Sequence, residues 1–398
     1  MSVTLANILT DSNERVRNST TGSLDNSKRT RGINRTLEDL QDFADWDFTK
    51  RAKTFYFIDD VSEYSLENHV GATCQDNDGA TSIPDFKSPY DLRTDEAHRP
   101  FKYRDVKDVR HDIRYKKSVN EYGVDGDLLV VNYPRQTSAQ LHNCDSLTAN
   151  GTWTASGDAT NLTVDDVTYK EGSASLNFDV SAGTSLILTN STFTSKDLEQ
   201  LQNKSHFILW VYLPTITNFT SIALRWGSSA SAYWEKTETV PAGSQDLKVG
   251  WNRFAFRWAD ATETGSPDVT AVDYARIAIT YSASTTDTDF RIDDLRVGKE
   301  VEMTLDYYSL AMVKDTAGDY QLEFNPDDVT MTDELLGDSV ARKTVVKGTE
   351  TELFHIIGGK SERDLDNARK DYEKKRVELL KRAGHRLRRM GRVLNFKR

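Results

Sequence analysis

The chain has 398 residues, 37% apolar and 28% charged, with a formal net charge of -11. That is longer than one ordinary domain of about 100–200 residues, and clustered aromatic and β-branched residues exclude wholesale disorder. No stretch reaches the roughly 20 apolar residues that cross a bilayer, and the start from Met1 to Thr10 has no basic, apolar leader pattern, so neither a membrane role nor secretion is expected.

The charge is uneven. The last 18 residues hold eight cations, Lys381, Arg382, Arg386, Arg388, Arg389, Arg392, Lys397 and Arg398, and no acid, which leaves -19 on residues 1–380. A basic tail on an acidic body is expected to meet something acidic. Cys74 and Cys144 are the only cysteines and have no histidines at metal-ligand spacing.

In residues 29–46, Ile33, Leu37, Leu40, Phe43 and Ala44 fall at helical spacing and predict an amphipathic helix. Residues 54–58 and 63–66 flank Asp59 and Asp60 as a hairpin, and a polar loop follows over 67–81. Residues 83–86, 90–93 and 101–103 read as short strands, and the polar stretch 105–114 as a turn or helix.

Between 138 and 298 Thr, Ser, Gly and Asn dominate and helical periodicity disappears. Candidate strands are 174–178, 185–188, 206–213, 221–226, 251–258, 275–280 and 290–295, a spacing that predicts a two-sheet sandwich. After Lys299 a strand is expected over 301–310 and a short apolar run over 353–357. A long final helix follows, capped by Ser361 and Asp364, with an apolar stripe from Leu365 to Met390 that Arg376 interrupts.

Gly359, Lys360 and Ser361 imitate a phosphate loop, but that loop needs a glycine where Phe354 stands, so nucleotide binding is not expected. No zinc-protease motif, nucleophile elbow or Cys/His pair appears, and the chain is expected not to be an enzyme. Paired carboxylates for glycoside hydrolysis carry no information among 62 acidic residues.

Several segments of the central region resemble the jelly-roll sandwiches of carbohydrate-binding modules: Gly151-Thr-Trp153, residues 169–176, residues 207–212, Gly250-Trp-Asn-Arg-Phe254 and residues 290–297. The resemblance implies a sugar-stacking platform at Trp226, Tyr233 and Trp234, against the simpler reading that these aromatics fill the core. It also implies a structural calcium held by Asp145 with Asp293 or Asp294, the one cofactor expected, against the simpler reading of a solvated turn.

The outer segments resemble the head-to-tail adaptor proteins of tailed bacteriophages, through Leu5-Ala-Asn-Ile-Leu9, residues 33–40, Trp46-Asp-Phe48, residues 64–66, residues 84–93 and the final helix. The fold class expected is α+β multidomain: a helical adaptor domain with a small β-region (1–137 and 299–398), interrupted by an all-β jelly-roll sandwich (138–298). The resemblance implies a structural virion protein at the capsid neck, assembled in the host cytoplasm as a homo-oligomeric ring, a dodecamer in that family. Its partners would be the portal protein or packaged DNA, either of which the basic tail would contact, against the simpler reading of a solvated helix end, together with tail or nozzle proteins and surface glycan, with no membrane. The alternative is a carbohydrate-binding or glycan-degrading phage tail or surface protein.

Overall fold

A computed structural model describes residues 3–15, 26–58, 61–66, 83, 85–94, 101–117, 119–134, 138–316, 320–324, 333–337, 339–357 and 361–383. The expected turn at Asp59 and Asp60, the loop at 67–81 and the Gly358-Gly359-Lys360 segment lie outside them. The chain divides into two compact units, one of residues 1–52, 85–90 and 306–398, the other of residues 53–84 and 91–305.

Among the described residues the first unit holds four α-helices, α1 (Leu5–Arg15), α2 (Asn26–Phe43), α4 (Ser339–Ile357) and α5 (Glu362–Ala383); α3 (Val106–Arg114) belongs to the second. The helical stripe of α2 holds, since Ile33, Leu37 and Leu40 are fully buried in a core with Leu5, Ile8, Val345 and Leu379. Phe43, at the end of the stripe, is partly exposed and covered by the Arg376 guanidinium, 3.8 Å from its ring centroid. Arg376 also bonds Asp39 at 2.8 Å, and Tyr372 donates to the same carboxylate at 2.5 Å, so the interruption in the α5 stripe is a contact with α2.

Residues 353–357 are the last turn of α4, not a strand. The β-branched content of α4 hid it, because Thr344, Thr349 and Thr351 satisfy their buried hydroxyls on carbonyls one turn back and so tolerate the helix. Gly348 lets α2 and α4 approach closely: a Cβ there would lie 2.2 Å from Thr36 Cγ2 and 2.9 Å from the Tyr372 ring. At the start of α5, the Ser361 hydroxyl accepts from the Asp364 N–H at 3.2 Å and donates to its carboxylate at 2.8 Å, as the cap spacing predicts.

The expected helical adaptor domain is not what the chain builds. Strands make up 45% of the structure and helices 25%, and the first unit carries a four-stranded sheet of its own, ordered Val3–Thr4, Glu334–Leu335, Val313–Lys314, Tyr320–Gln321. The strands expected near 54–58, 90–93 and 301–310 extend over Lys50–Phe57, Phe86–Thr94 and Val301–Ser309, where aromatic residues such as Phe55, Phe57, Tyr90, Tyr307 and Tyr308 favour extended backbone, and with the four-stranded sheet they exceed the small β-region that the resemblance implies. The expected boundary at 137/138 falls inside the second unit, and that at 298/299 falls inside a strand.

The second unit contains a two-sheet sandwich. Its strands are β1 (Ser138–His142), β2 (Trp153–Gly157), β3 (Ala159–Asp165), β4 (Ser175–Val180), β5 (Gly183–Asn190), β6 (Ser205–Leu213), β7 (Phe219–Ser229), β8 (Ala232–Glu238), β9 (Gly250–Arg257), β10 (Thr262–Thr264), β11 (Tyr274–Thr285) and β12 (Phe290–Lys299). The front sheet runs β3-β4-β12-β6-β9, with β1 also paired to β12, and the back sheet runs β10-β8-β7-β11-β5-β2. Both are antiparallel, as expected where alternate residues face a shared core.

Apolar residues of alternate parity meet between the sheets, among them Phe178, Phe207, Leu224, Trp226, Phe254, Trp258, Ile277 and Phe290. A smaller sheet, ordered Glu63–Ser65, Leu128–Asn132, Glu121–Asp125, Lys102–Tyr103, packs Val130 against Val106 and Val109 of α3 in the same unit.

Candidate functional site

The front sheet has a polar outer face whose residues follow from strand alternation. In β6, Phe207, Leu209, Val211 and Leu213 point into the core, so Trp210 and Tyr212 point outward. Antiparallel pairing sets Tyr212 opposite Trp251 of β9 on one side and opposite Arg291 of β12 on the other. Arg291 is opposite Asn177 of β4, and Asn177 opposite Thr163 of β3. One row of side chains, Thr163, Asn177, Arg291, Tyr212, Trp251, therefore crosses five strands, a span of roughly 19 Å at the usual strand spacing.

Rings and cations interleave along this face. The Tyr212 and Trp251 rings are 5.5 Å apart and nearly perpendicular, and the Arg291 guanidinium lies 4.9 Å from the Tyr212 centroid. Beside them Trp210 has the Arg253 guanidinium at 4.4 Å and the Lys170 ammonium at 4.9 Å. Positive charge over a ring face is favourable because the ring quadrupole presents its negative side there.

Two carboxylates beside this face, Asp165 and Asp293, are engaged by protein groups. Asp165 accepts from Arg291 at 2.8 Å and from the Val167 and Thr168 N–H groups. Partial burial opposes its ionisation, but these bonds outweigh that and hold its carboxyl below the usual range. Asp293 is fully buried, and its Oδ2 accepts the N–H groups of Lys170 and Glu171 at 2.6 and 2.9 Å. Burial, with Asp294 and Asp145 nearby, pushes the Asp293 carboxyl up to about 6 against those bonds.

Asp145 pins the other end of the same loop, accepting from the Ser173 and Ala174 N–H groups at 2.8 Å each. Gly172 between them has φ +69°, and a Cβ there would lie 2.5 Å from the Asp145 carboxylate, so only glycine fits. Two carboxylates thus clamp the loop before β4 and hold Lys170 beside Trp210.

The residues nominated from sequence are distributed differently. Trp226 and Trp234 are 1% and 4% exposed. Trp226 stacks on Phe207 at 4.2 Å, and both indoles meet Trp258 edge on, at 5.7 and 5.0 Å. Neither offers a face to a sugar, because their strand parity points them between the sheets; of the nominated platform only Tyr233 is outside the core, with Arg225 4.3 Å from its ring. Sequence reasoning missed Trp210, Tyr212 and Trp251, whose signal is their parity opposite Phe207, Leu209, Val211 and Phe254.

Asp145, Asp293 and Asp294 share a neighbourhood but do not form a cation cage. Among the described residues no group of three or more His, Cys, Asp or Glu is arranged to hold a metal: Asp145 accepts from loop N–H groups and Asn143, Asp294 from Gln140 and Arg296, and Asp293 from loop N–H groups through Oδ2, with its buried Oδ1 left without a hydrogen bond. Asp293 and Asp294 are both fully buried, so the solvated-turn reading fails as well; Asp294, with φ +52°, sits where the register of β12 shifts. Lys381 is an exposed residue of α5 and Arg382 lies in the same helix, while Arg386, Arg388, Arg389, Arg392, Lys397 and Arg398 lie outside the described residues.

A second polar cluster in this unit is buried. His206 is fully buried, its Nδ1 3.3 Å from Glu300 Oε2 without the alignment of a hydrogen bond, while Arg257 binds Glu300 through two nitrogens at 2.9 and 3.0 Å. Burial, with Arg257 and Lys236 adding to it, lowers the His206 imidazole to about 3. Glu238, also buried, is raised by burial to about 7, with Lys236 opposing the rise.

No family model matches the chain, and no curated protein matches it. Among solved structures, the sandwich is similar to the family 30 carbohydrate-binding module of a cellulosomal cellulase of Clostridium thermocellum, at 14% identity and a TM-score of 0.31, covering 41% of this chain and 98% of that one. A family 11 carbohydrate-binding module of the same organism, in complex with a β-1,3-1,4-mixed-linked tetrasaccharide, aligns at 9% identity and a TM-score of 0.29, over 41% of this chain and 95% of that one. An exo-β-agarase aligns at 11% identity and a TM-score of 0.30, over 40% of this chain and 25% of that one. Nothing among these neighbours supports the bacteriophage adaptor resemblance.

Proposed function

We propose that the outer face of the front sheet binds a polysaccharide chain laid across the strands. The observation that carries this reading is the in-register row Thr163, Asn177, Arg291, Tyr212, Trp251. Aromatic rings match the apolar C–H faces of sugar rings, and the Thr163 and Asn177 groups supply directional partners for hydroxyls, while Arg291, held by Asp165 and Asp289, orients against Tyr212.

The same face favours binding without hydrolysis. Glycoside cleavage needs two carboxyl groups that reach the bond from opposite sides. Asp293 is buried under its loop and Asp165 is held by Arg291, so neither is free to approach a glycosidic oxygen.

Affinity electrophoresis of the full chain through gels containing different soluble polysaccharides tests this. At least one polysaccharide should retard the parent protein, and the double variant Tyr212→Ala, Trp251→Ala should run freely through it. Equal retardation of parent and variant would place the binding site elsewhere.

A further inference from the structure

Resting on that reading of the front face, we infer that its ligand is an anionic polysaccharide, bearing carboxylate or sulfate groups, and that Lys170 is the residue that selects it. Three cations lie over rings of the face, Lys170 and Arg253 at Trp210 and Arg291 at Tyr212. The acids beside them are engaged: Asp165 and Asp289 both pair with Arg291, Glu171 lies 3.6 Å from Arg296, and Asp293 binds loop N–H groups. The Lys170 ammonium is exposed, and among the described residues it has no carboxylate partner. Its charge is therefore uncompensated on the protein side, at the point where a sugar ring would stack.

The position of that charge is built, not incidental. The Lys170 and Glu171 N–H groups are tied to Asp293, the Ser173 and Ala174 N–H groups to Asp145, and Gly172 permits the turn between them. A loop fixed at four backbone groups loses little freedom when a ligand arrives, so an ion pair made there is retained in the affinity. A neutral chain gains the ring contacts alone; a chain with a carboxylate or sulfate one position away gains the ammonium as well.

The test is titration calorimetry of the full chain with an oligogalacturonate, a sulfated galactan oligosaccharide and a neutral mixed-linkage glucan, each at low and high salt, repeated with Lys170→Gln. The expected result is tighter binding of one or both acidic chains, a preference that shrinks with salt, and a loss of about fivefold in acidic affinity in Lys170→Gln that exceeds any loss for the neutral chain. Preference for the uronate or for the sulfate names the source of the negative charge, and either supports the inference. Equal affinity for acidic and neutral chains, or a full acidic preference in Lys170→Gln, overturns the inference and leaves the polysaccharide site standing. No binding of any chain by the parent protein overturns both.

Discussion

Tyr212 and Trp251 meet edge to face across β6 and β9, their ring centroids 5.5 Å apart and their planes at 79°. Each ring orients the other on a face where neither is needed for the core, since the core is supplied by Phe207, Leu209, Val211 and Phe254 on the opposite side of the same strands. A pair held this way fixes the orientation of each ring on the outer face.

Replacing Trp251 or Tyr212 by Ala is expected to weaken polysaccharide binding by about tenfold each, the usual effect of removing an aromatic anchor from a binding face. Thermal unfolding should shift little, because both residues are only half-buried. A large loss of melting temperature in either variant would show that the pair is structural.

Trp226→Ala should behave in the opposite way. It removes a fully buried indole that stacks on Phe207 and meets Trp258, and should cost about 3–5 kcal/mol of stability. Urea unfolding monitored by fluorescence would measure it, and a cost below about 1 kcal/mol would contradict the core assignment.

Two buried groups should tilt stability in opposite directions over the acidic range, between about pH 3 and 7. The His206 imidazole is lowered to about 3 in the fold, so its contribution is present above the unfolded value near 6.5 and is lost as pH falls toward 3, where the unfolded chain takes up the proton more readily. Glu238 is raised to about 7, so its contribution is present below the unfolded value near 4.5 and is lost as pH rises through 7. Urea titrations from pH 4 to 7 should find a smaller loss on acidification below 6.5 in His206→Phe and a smaller loss on raising the pH from 4.5 to 7 in Glu238→Gln; unchanged slopes would refute the assignments.

Gly348→Ala should destabilise the first unit by about 1–3 kcal/mol, although alanine is the better helix former by about 1 kcal/mol. The added methyl would lie 2.2 Å from Thr36 Cγ2 and force α2 and α4 apart. The companion variant Thr36→Ser removes that methyl and should recover part of the loss, read as a shift in the urea midpoint.

What local sequence determined is whatever depends on period and cap. The α2 stripe, the Ser361 cap and the parity of strands such as β6 and β9 were legible because side-chain direction repeats every 3.6 or 2 residues whatever the surroundings. Even so, α4 escaped, since its buried threonines find acceptors only once the helix exists.

Tertiary structure decided which face of each strand became surface and which acids met which N–H groups. Parity separates Trp210 from Phe207 and Leu209 but does not say which of the two faces is buried, and only the closed sandwich stacks Trp226 on Phe207 in the core and leaves Trp210 outside against two cations. Asp145 and Asp293 are separated by nearly the whole sandwich in sequence, yet they clamp one loop between them. Pairing register and sheet closure bring such residues together through contacts distant along the chain, and these are the terms that periodicity does not encode.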